Sequence, residues 1–297
     1  MHLKGGVAVG MNNVKKCHIC GKEVRNYYRK VNGIAVLRCH HCKLKWVEDL
    51  DERAVISFYN KGYFNRSHSK IGYRDYLDQE KNHRENSLSI LRRVDAVRDL
   101  RRSRILEVGC AFGFLLDEAR RIKLCDVYGV EINEDAFQYA KSSLGLNVVK
   151  RELQTCNFEN NFFDAVFLIG TIEHLISPRQ TLNHIHRILK SEGILVITTV
   201  DTRGLVPLYS IKPPEHLFYF NHHNISLLLG MSGYKVLVRR PYFVKYRMDD
   251  LFHRLSEFSC PSVFSFLDGI ISKVFGNISI RIPSNEMLVI AKKNTAS

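Results

Sequence analysis

No stretch of the 297-residue chain is apolar over the length that a bilayer-crossing helix needs, so no such helix is expected. The opening segment, MHLKGGVAVGMNN, has no secretory apolar core followed by a small-residue cleavage site, and the expected location is cytoplasmic. Residues 1–15 are expected to form a flexible tail, Met11 marking a possible second start. Negative charge is scarce, but only at the front. Residues 1–104 carry 23 Lys and Arg against 11 Asp and Glu, whereas the remaining residues carry 21 against 19. The basic front third therefore suits an anionic partner such as nucleic acid, a phosphorylated substrate or an anionic membrane face, or else is a solvated basic surface. Otherwise the composition, 45% hydrophobic and 25% charged, is that of a globular protein with one large domain or two modest ones.

Four of the eight cysteines form two matched pairs, Cys17–Cys20 and Cys39–Cys42, in a C-x2-C-x18-C-x2-C arrangement. Each pair turns two sulfurs toward one ion, and two pairs complete a tetrahedron, the pattern of a structural zinc site with no position left for water. Between them the sequence reads as two short strands with a turn at Asn32-Gly33, which gives a zinc ribbon over residues 16–46. His18, His40 and His41 lie close enough to replace a cysteine, although nothing requires it. Cys110, Cys125, Cys156 and Cys260 show no spacing pattern and are expected as small buried side chains.

Residues 47–103 form a basic, aromatic linker that ends in a helix. Leu88, Leu91, Val94, Val97 and Leu100 recur every three residues, which predicts an amphipathic helix packed on the domain downstream of it. Tyr59, Tyr63, Phe64, Tyr73 and Tyr76 alternate with basic residues. They are suited to a substrate or cofactor entrance, to stacking on single-stranded nucleic acid, or to packing where the linker crosses the main domain.

From residue 104 onward strand-like and helix-like segments alternate. Strands are expected at Arg104–Val108, Val127–Ile132, Leu146–Lys150, Ala165–Ile169, Ile194–Val200, Tyr234–Val238 and Met287–Ala291. SPRQTLNHIHRILKSEG is the clearest helix, with Ser177 as N-cap, Pro178 at its first position, an apolar stripe of Leu182, Ile185, Ile188 and Leu189, and Gly193 after its end. This alternation predicts an α/β fold, a mostly parallel sheet with helices on both faces and ligands at the carboxyl ends of its strands. The first strand runs into the turn LEVGCAFGF. As a dinucleotide-binding G-x-G-x-x-G it fails, because Phe114 stands where a glycine must pack helix against strand and Ala111 replaces the middle one. An acid followed by glycines two and six positions later, Glu107, Gly109 and Gly113, fits better.

ILEVGCAFGFLLDEARRIKLCDVYGVEIN resembles the first two motifs of class I S-adenosylmethionine-dependent methyltransferases. NFFDAVFLIGTIEHL, RILKSEGILVITT and KPPEHLFYFNHHNISLLLGMSGYKV extend the resemblance, the last of these toward a bacterial subgroup with an N-terminal zinc ribbon. The resemblance implies a Rossmann-like seven-stranded methyltransferase sheet over residues 104–297, S-adenosylmethionine as cofactor and structural Zn2+. Implied cofactor residues are Glu107, Gly109, Ala111, Gly113, Glu131, Ile132, Leu153 and Gly170, with Glu131 holding the ribose hydroxyls and Leu153 against the adenine. Ala111 fits the loop provided that the backbone there does not require a positive φ.

Methyl transfer to a weak nucleophile needs a base near neutrality, for which histidine is suited. His216, after two prolines and beside Glu215, and His174, at the end of the fourth strand, are the candidates. Structural roles bonding neighbouring loops are the simpler alternative for both. His222 and His223 are expected as capping or surface groups. The insertion 242–285 is apolar enough to cap the substrate site, to form a dimer contact or to lie on a membrane. The subgroup resemblance implies a small molecule or a sugar- or lipid-linked metabolite as acceptor. The rivals are a ribosomal RNA base methyltransferase, weakened by the absence of an Asn/Asp-Pro-Pro-Tyr motif, and a non-catalytic zinc-ribbon adaptor that retains the cofactor site.

Overall fold

The computed structural model describes residues 15–24, 27–31, 33–48, 55, 57, 59, 63, 64, 76–203, 211–248 and 278–294. A short antiparallel pair, β1 (Lys15–Lys16) and β2 (Glu23–Val24), flanks the first cysteine pair. Strands β3 (Tyr27–Val31) and β4 (Ile34–Arg38) form a hairpin whose turn places Gly33 at φ 78°, a conformation open to glycine. Strand β5 (Lys45–Val47) pairs with β4. A fourth strand joins from far downstream: β11 (Phe218–Tyr219) pairs with β5, giving the order β11-β5-β4-β3.

The main sheet has seven strands. They are β6 (Arg104–Val108), β7 (Asp126–Glu131), β8 (Asn147–Lys150), β9 (Phe163–Ile169), β10 (Leu189–Val200), β12 (Tyr234–Arg247) and β13 (Ser279–Lys293). Their spatial order is β12-β13-β10-β9-β6-β7-β8, parallel from β10 to β8, while β13 runs antiparallel to both its neighbours. Chain order reverses between β6 and β9, and such a switch opens a crevice at the carboxyl ends.

The central strands are apolar on both faces because both faces are covered. Ile105, Ala165, Phe167, Ile194 and Val196 meet one layer, made by α1 (Glu80–Asp95), α2 (Phe114–Lys123) and the turn after α3 (Glu134–Gln138). Leu106, Val108, Val166, Leu168, Leu195 and Ile197 meet the other. There α4 (Pro178–Ile188), α5 (His222–Met231) and ribbon residues Ile19, Leu37 and Trp46 form one continuous core. The ribbon thus occupies a helix-like place on the sheet.

Three sequence expectations shift. Helix α1 ends at Asp95, where Val97 and Arg98 turn back their N–H groups onto the carbonyl of Val94. Val97 is consequently exposed, Leu100 is buried outside the helix, and the stripe is Ser87, Ile90, Leu91 and Val94. Helix α4 stops at Ile188, with Leu189 already in β10; Ser177 is its N-cap residue without a side-chain cap bond. Strands β12 and β13 run on as a paired arm, Phe243–Arg247 against 279–283, so the connection between them is shorter than 242–285. The proposed roles of that insertion fall chiefly on residues outside those described. The arm's outer edge is covered by Asn86 of α1, which accepts from the Lys245 backbone N–H at 2.9 Å and donates to its carbonyl at 3.0 Å.

Candidate cofactor and acceptor site

The turn after β6 is built on alternating left-handed residues. Gly109 has φ 70°, Ala111 φ 46° and Gly113 φ 80°. A Cβ on Gly109 would lie 2.9 Å from the Thr171 side chain, and one on Gly113 would lie 2.5 Å from Leu146 and 3.2 Å from Ala140. Gly113 is therefore the close-packing glycine, and Phe114 is free to start α2. The positive φ on which Ala111 depended is present, so this residue is held in a strained region. The Gly109 and Cys110 N–H groups both donate to the Val130 carbonyl, which seats the turn against the end of β7.

Glu131 closes β7. Its carboxylate accepts from the backbone N–H groups of Ala111, Ile132 and Asn133, each at 2.8 Å, and so sits between the turn and α3. Three of its roughly four acceptor sites are filled, leaving the outward lone pair for a further donor. Burial raises its pKa, while the three N–H groups oppose the shift. Glu107 is fully buried, and its Oε2 makes no hydrogen bond among the described residues. Burial, reinforced by the Glu131 carboxylate, pushes Glu107 well above the usual carboxylate range. An orphaned buried acceptor of this kind is costly unless a donor arrives. The ammonium group of S-adenosylmethionine would supply one, so the buried donor-seeking acid beside the turn fits that cofactor. Gly170, directly after β9, has φ 58° and open space where a Cβ would stand. Ile132 is half-buried beside Glu131; Leu153 is buried in a short turn after β8.

A second cluster lies next to the turn, because Thr171 precedes the short helical turn Ile172–His174. His174 Nδ1 is 2.7 Å from the Glu215 carbonyl oxygen and 2.8 Å from the Tyr59 hydroxyl. The Tyr59 hydroxyl also donates to that carbonyl. A carbonyl only accepts, so Nδ1 carries the proton and Nε2 keeps its lone pair. The Tyr59 phenol stays protonated, its pKa raised by burial and then by Glu215 and Glu173. The His216 ring stands edge-on to His174 at 4.9 Å, and Tyr63 donates to Glu215 Oε1 at 3.3 Å. Glu173 is buried, accepts from Thr199 at 2.8 Å and has its pKa raised by burial. Glu173, His174 and His216 bring ligand atoms within 4.8 Å of one another.

The structure thus brings together His174, Glu215 and His216, and separately Glu107, Gly109, Ala111, Gly113 and Glu131. Tyr59 joins the two groups, since Asn133 donates to its carbonyl at 2.7 Å. Of the linker aromatics, Phe64 and Tyr76 pack on Phe112 of the turn, with centroids 5.2 Å and 5.1 Å away; Tyr73 lies outside the described residues. Glu173, Thr199 and Asn133 were not expected in the site. Only Glu173 had a signal, its place beside His174. His222 pairs with Asp201 at 3.1 Å, and His223 lies on the first turn of α5 behind the Asn221 cap.

The ribbon cysteines converge as a tetrathiolate site requires. The sulfurs of Cys17 and Cys42, and of Cys20 and Cys39, are 3.5 Å apart, and all four lie within 4.8 Å. Tetrahedral Zn–S bonds of about 2.3 Å place sulfurs roughly 3.8 Å apart. Matching left-handed residues, Gly21 at φ 67° and Lys43 at φ 62°, close the two knuckles. The Cys17 thiol is lowered to about 5, chiefly by the hydrogen bond with Cys42, whose own thiol is raised.

A seven-stranded sheet with one antiparallel strand inserted beside β10, a glycine turn after β6 and an acid closing β7 define the class I S-adenosylmethionine-dependent methyltransferase fold. A family model described as a methyltransferase domain matches residues 79–238, more than half of the chain, and the chain belongs to that family. It is 26% identical over 134 residues to a ubiquinone biosynthesis O-methyltransferase of Neisseria meningitidis serogroup C (strain 053442), covering 43% of this chain and 56% of that protein. The mitochondrial ubiquinone biosynthesis O-methyltransferase of Dictyostelium discoideum is 26% identical over 129 residues, covering 38% and 40%. The chain therefore spans about half the length of the curated relatives it matches. Among solved structures, magnesium protoporphyrin IX methyltransferase from Synechocystis PCC 6803, with SAH bound, superposes with a TM-score of 0.52 at 15% identity, covering 82% of this chain and 99% of that one. Among the described residues no helix is long and apolar enough to cross a membrane.

Proposed function

We propose that the protein transfers a methyl group from S-adenosylmethionine to a hydroxyl or similarly weak nucleophile on a small molecule or a sugar- or lipid-linked metabolite. In this reading residues 16–46 are a ribbon braced by one structural zinc on Cys17, Cys20, Cys39 and Cys42. Residues 47–103 form a basic aromatic linker and helix, and residues 104–297 form the transferase unit. The observation that carries the reading is the buried Glu107 oxygen without a partner, beside a turn whose Gly109 and Gly113 have no room for a Cβ. Glu107, with the turn at Gly109, Ala111 and Gly113, would hold the cofactor's amino-acid end. Glu131 would take the ribose hydroxyls, Ile132 and Leu153 would border the adenine, and Gly170 would border the sulfonium. When bound, the cofactor supplies an electrophilic methyl on a positively charged sulfur.

The remaining chemistry belongs to the chain. Glu215 and Tyr59 hold His174 in the tautomer whose Nε2 is ready to take the acceptor's proton. His216 packs edge-on against that ring and is the second proton-handling group. The O-methyltransferase names of the relatives support an oxygen acceptor.

The test is incubation of purified protein with methyl-labelled cofactor and the small-molecule fraction of a lysate. Label is expected in low-mass products; label in RNA instead would favour the ribosomal reading. His174→Asn should lower incorporation by about 10²-fold with S-adenosylhomocysteine affinity unchanged, and Tyr59→Phe should lower it less. Undiminished transfer by His174→Asn would remove His174 from the mechanism.

A further inference from the structure

Three cations gather on the face of the ribbon sheet turned away from the main sheet, at the border of the small core of Val36, Val47, Ile211 and Tyr219. Arg38 and Lys45 stand directly opposite one another on β4 and β5, and Lys45 stands opposite Tyr219 on β11. Arg29, paired with Val36 on β3, shares that face. Lys45 Nζ lies 4.7 Å and Arg38 Cζ 5.7 Å from the centroid of the Tyr28 ring, so both charges converge on one spot. Lys45 is only 9% exposed, and the Arg38 Nε is buried without a hydrogen-bond partner. Among the described residues no carboxylate pairs with Arg29, Arg38 or Lys45.

Like charges directly opposite on paired strands are destabilising, and a buried ammonium without a counterion is more so. Burial, then Arg38 and Arg29, lower the Lys45 pKa, the sign expected of crowded cations. The cluster adjoins the acceptor site. Tyr219, beside Lys45, donates its hydroxyl to the His216 carbonyl at 2.7 Å and feels both Glu215 and Arg29.

We propose that Arg29, Arg38 and Lys45 form an anchoring subsite for a phosphoryl or diphosphoryl group on the methyl acceptor, whose reacting end reaches past Tyr219 to His174 and His216. This rests on the methyltransferase reading and specifies its acceptor as phosphorylated. Guanidinium forks and an ammonium group match phosphate oxygens in number and geometry. The compact, half-buried placement suits one such group. A nucleic-acid backbone would call for an exposed cationic track, whereas Lys45 here is only 9% exposed.

The test uses the full-length, zinc-loaded protein, titrated with S-adenosylhomocysteine and then with pyrophosphate at moderate salt. Pyrophosphate should bind at one site and raise Tm. Lys45→Met and Arg38→Gln should each weaken pyrophosphate by about tenfold or more while S-adenosylhomocysteine still binds, and Lys22→Gln, an exposed ribbon control, should change neither. Wild-type protein that binds S-adenosylhomocysteine but not pyrophosphate, or pyrophosphate binding indifferent to both substitutions, would overturn the subsite and leave the methyltransferase reading standing. A short single-stranded oligonucleotide that displaces pyrophosphate with higher affinity would overturn it in favour of nucleic acid. Pyrophosphate binding without any S-adenosylhomocysteine binding would overturn the methyltransferase reading, and the acceptor subsite with it.

Discussion

Ala111 stands at φ 46° in a turn whose other left-handed positions are glycines. A left-handed non-glycine residue costs about 1–2 kcal/mol. Glycine there would relieve that cost, lose about 0.4–1 kcal/mol to unfolded-state entropy and give up part of a methyl contact against Phe112 and Phe114. Ala111→Gly should therefore stabilise the protein by roughly 0.5 kcal/mol, read as a higher urea midpoint at constant slope. Glu107 makes a prediction of opposite character. Its folded-state pKa is raised by burial and then by Glu131, so the folded chain holds that proton more tightly than the unfolded chain. The resulting stabilisation is complete below the unfolded carboxyl value, about 4.3, and is lost as pH rises through the folded value. Glu107→Gln removes this loss. Its stability relative to wild type should grow from about pH 5 to pH 8, while its affinity for S-adenosylhomocysteine falls. A constant stability difference over that range would show that Glu107 does not titrate in this way.

Strand β11 ties two functions at the scale of single elements. Phe218 and Tyr219 extend the ribbon sheet, while the residues just before them, Glu215 and His216, meet His174 in the proposed acceptor site. The order of the ribbon is thereby transmitted to the pocket through one short pairing. Trp46, the chain's single tryptophan, lies on β5 opposite Phe218 and is 2% exposed, so its fluorescence reports this junction. Removing the proposed zinc with a strong chelator should shift Trp46 emission to the red and abolish transfer, while S-adenosylhomocysteine binding at the turn after β6 is largely retained. Unchanged emission in a protein shown to have lost its metal would separate the ribbon from the pocket.

For the molecule as a whole, legibility followed the range of the interactions. Arg104–Val108 is a strand with those same limits, because a short apolar run before a glycine turn is a local signal. Glu107, Gly109, Gly113 and Glu131 stood out by their spacing and family resemblance, and the positive φ of both glycines and the N–H groups that converge on Glu131 are the local geometry found there. The end of α1 was missed because Asp95, which accepts from the Leu100 N–H, turns the chain while the apolar spacing of three continues through Val97 and Leu100. The pairing of Phe218 with Trp46 and the meeting of Tyr59 with His174 and Glu215 join residues more than a hundred positions apart, and no periodicity encodes them. The full reach of β12 and β13 was hidden because the arm's strands pair with each other, lean on α1 and carry little apolar alternation.

The central claim is that the turn, Glu107 and Glu131 form a working cofactor site, and calorimetric titration with S-adenosylhomocysteine tests it most directly. One molecule should bind per chain, and Glu131→Ala should weaken binding by at least about tenfold, or 1.4 kcal/mol, with Glu131→Gln in between. Absence of binding to the intact protein, or an affinity indifferent to Glu131, would contradict the account.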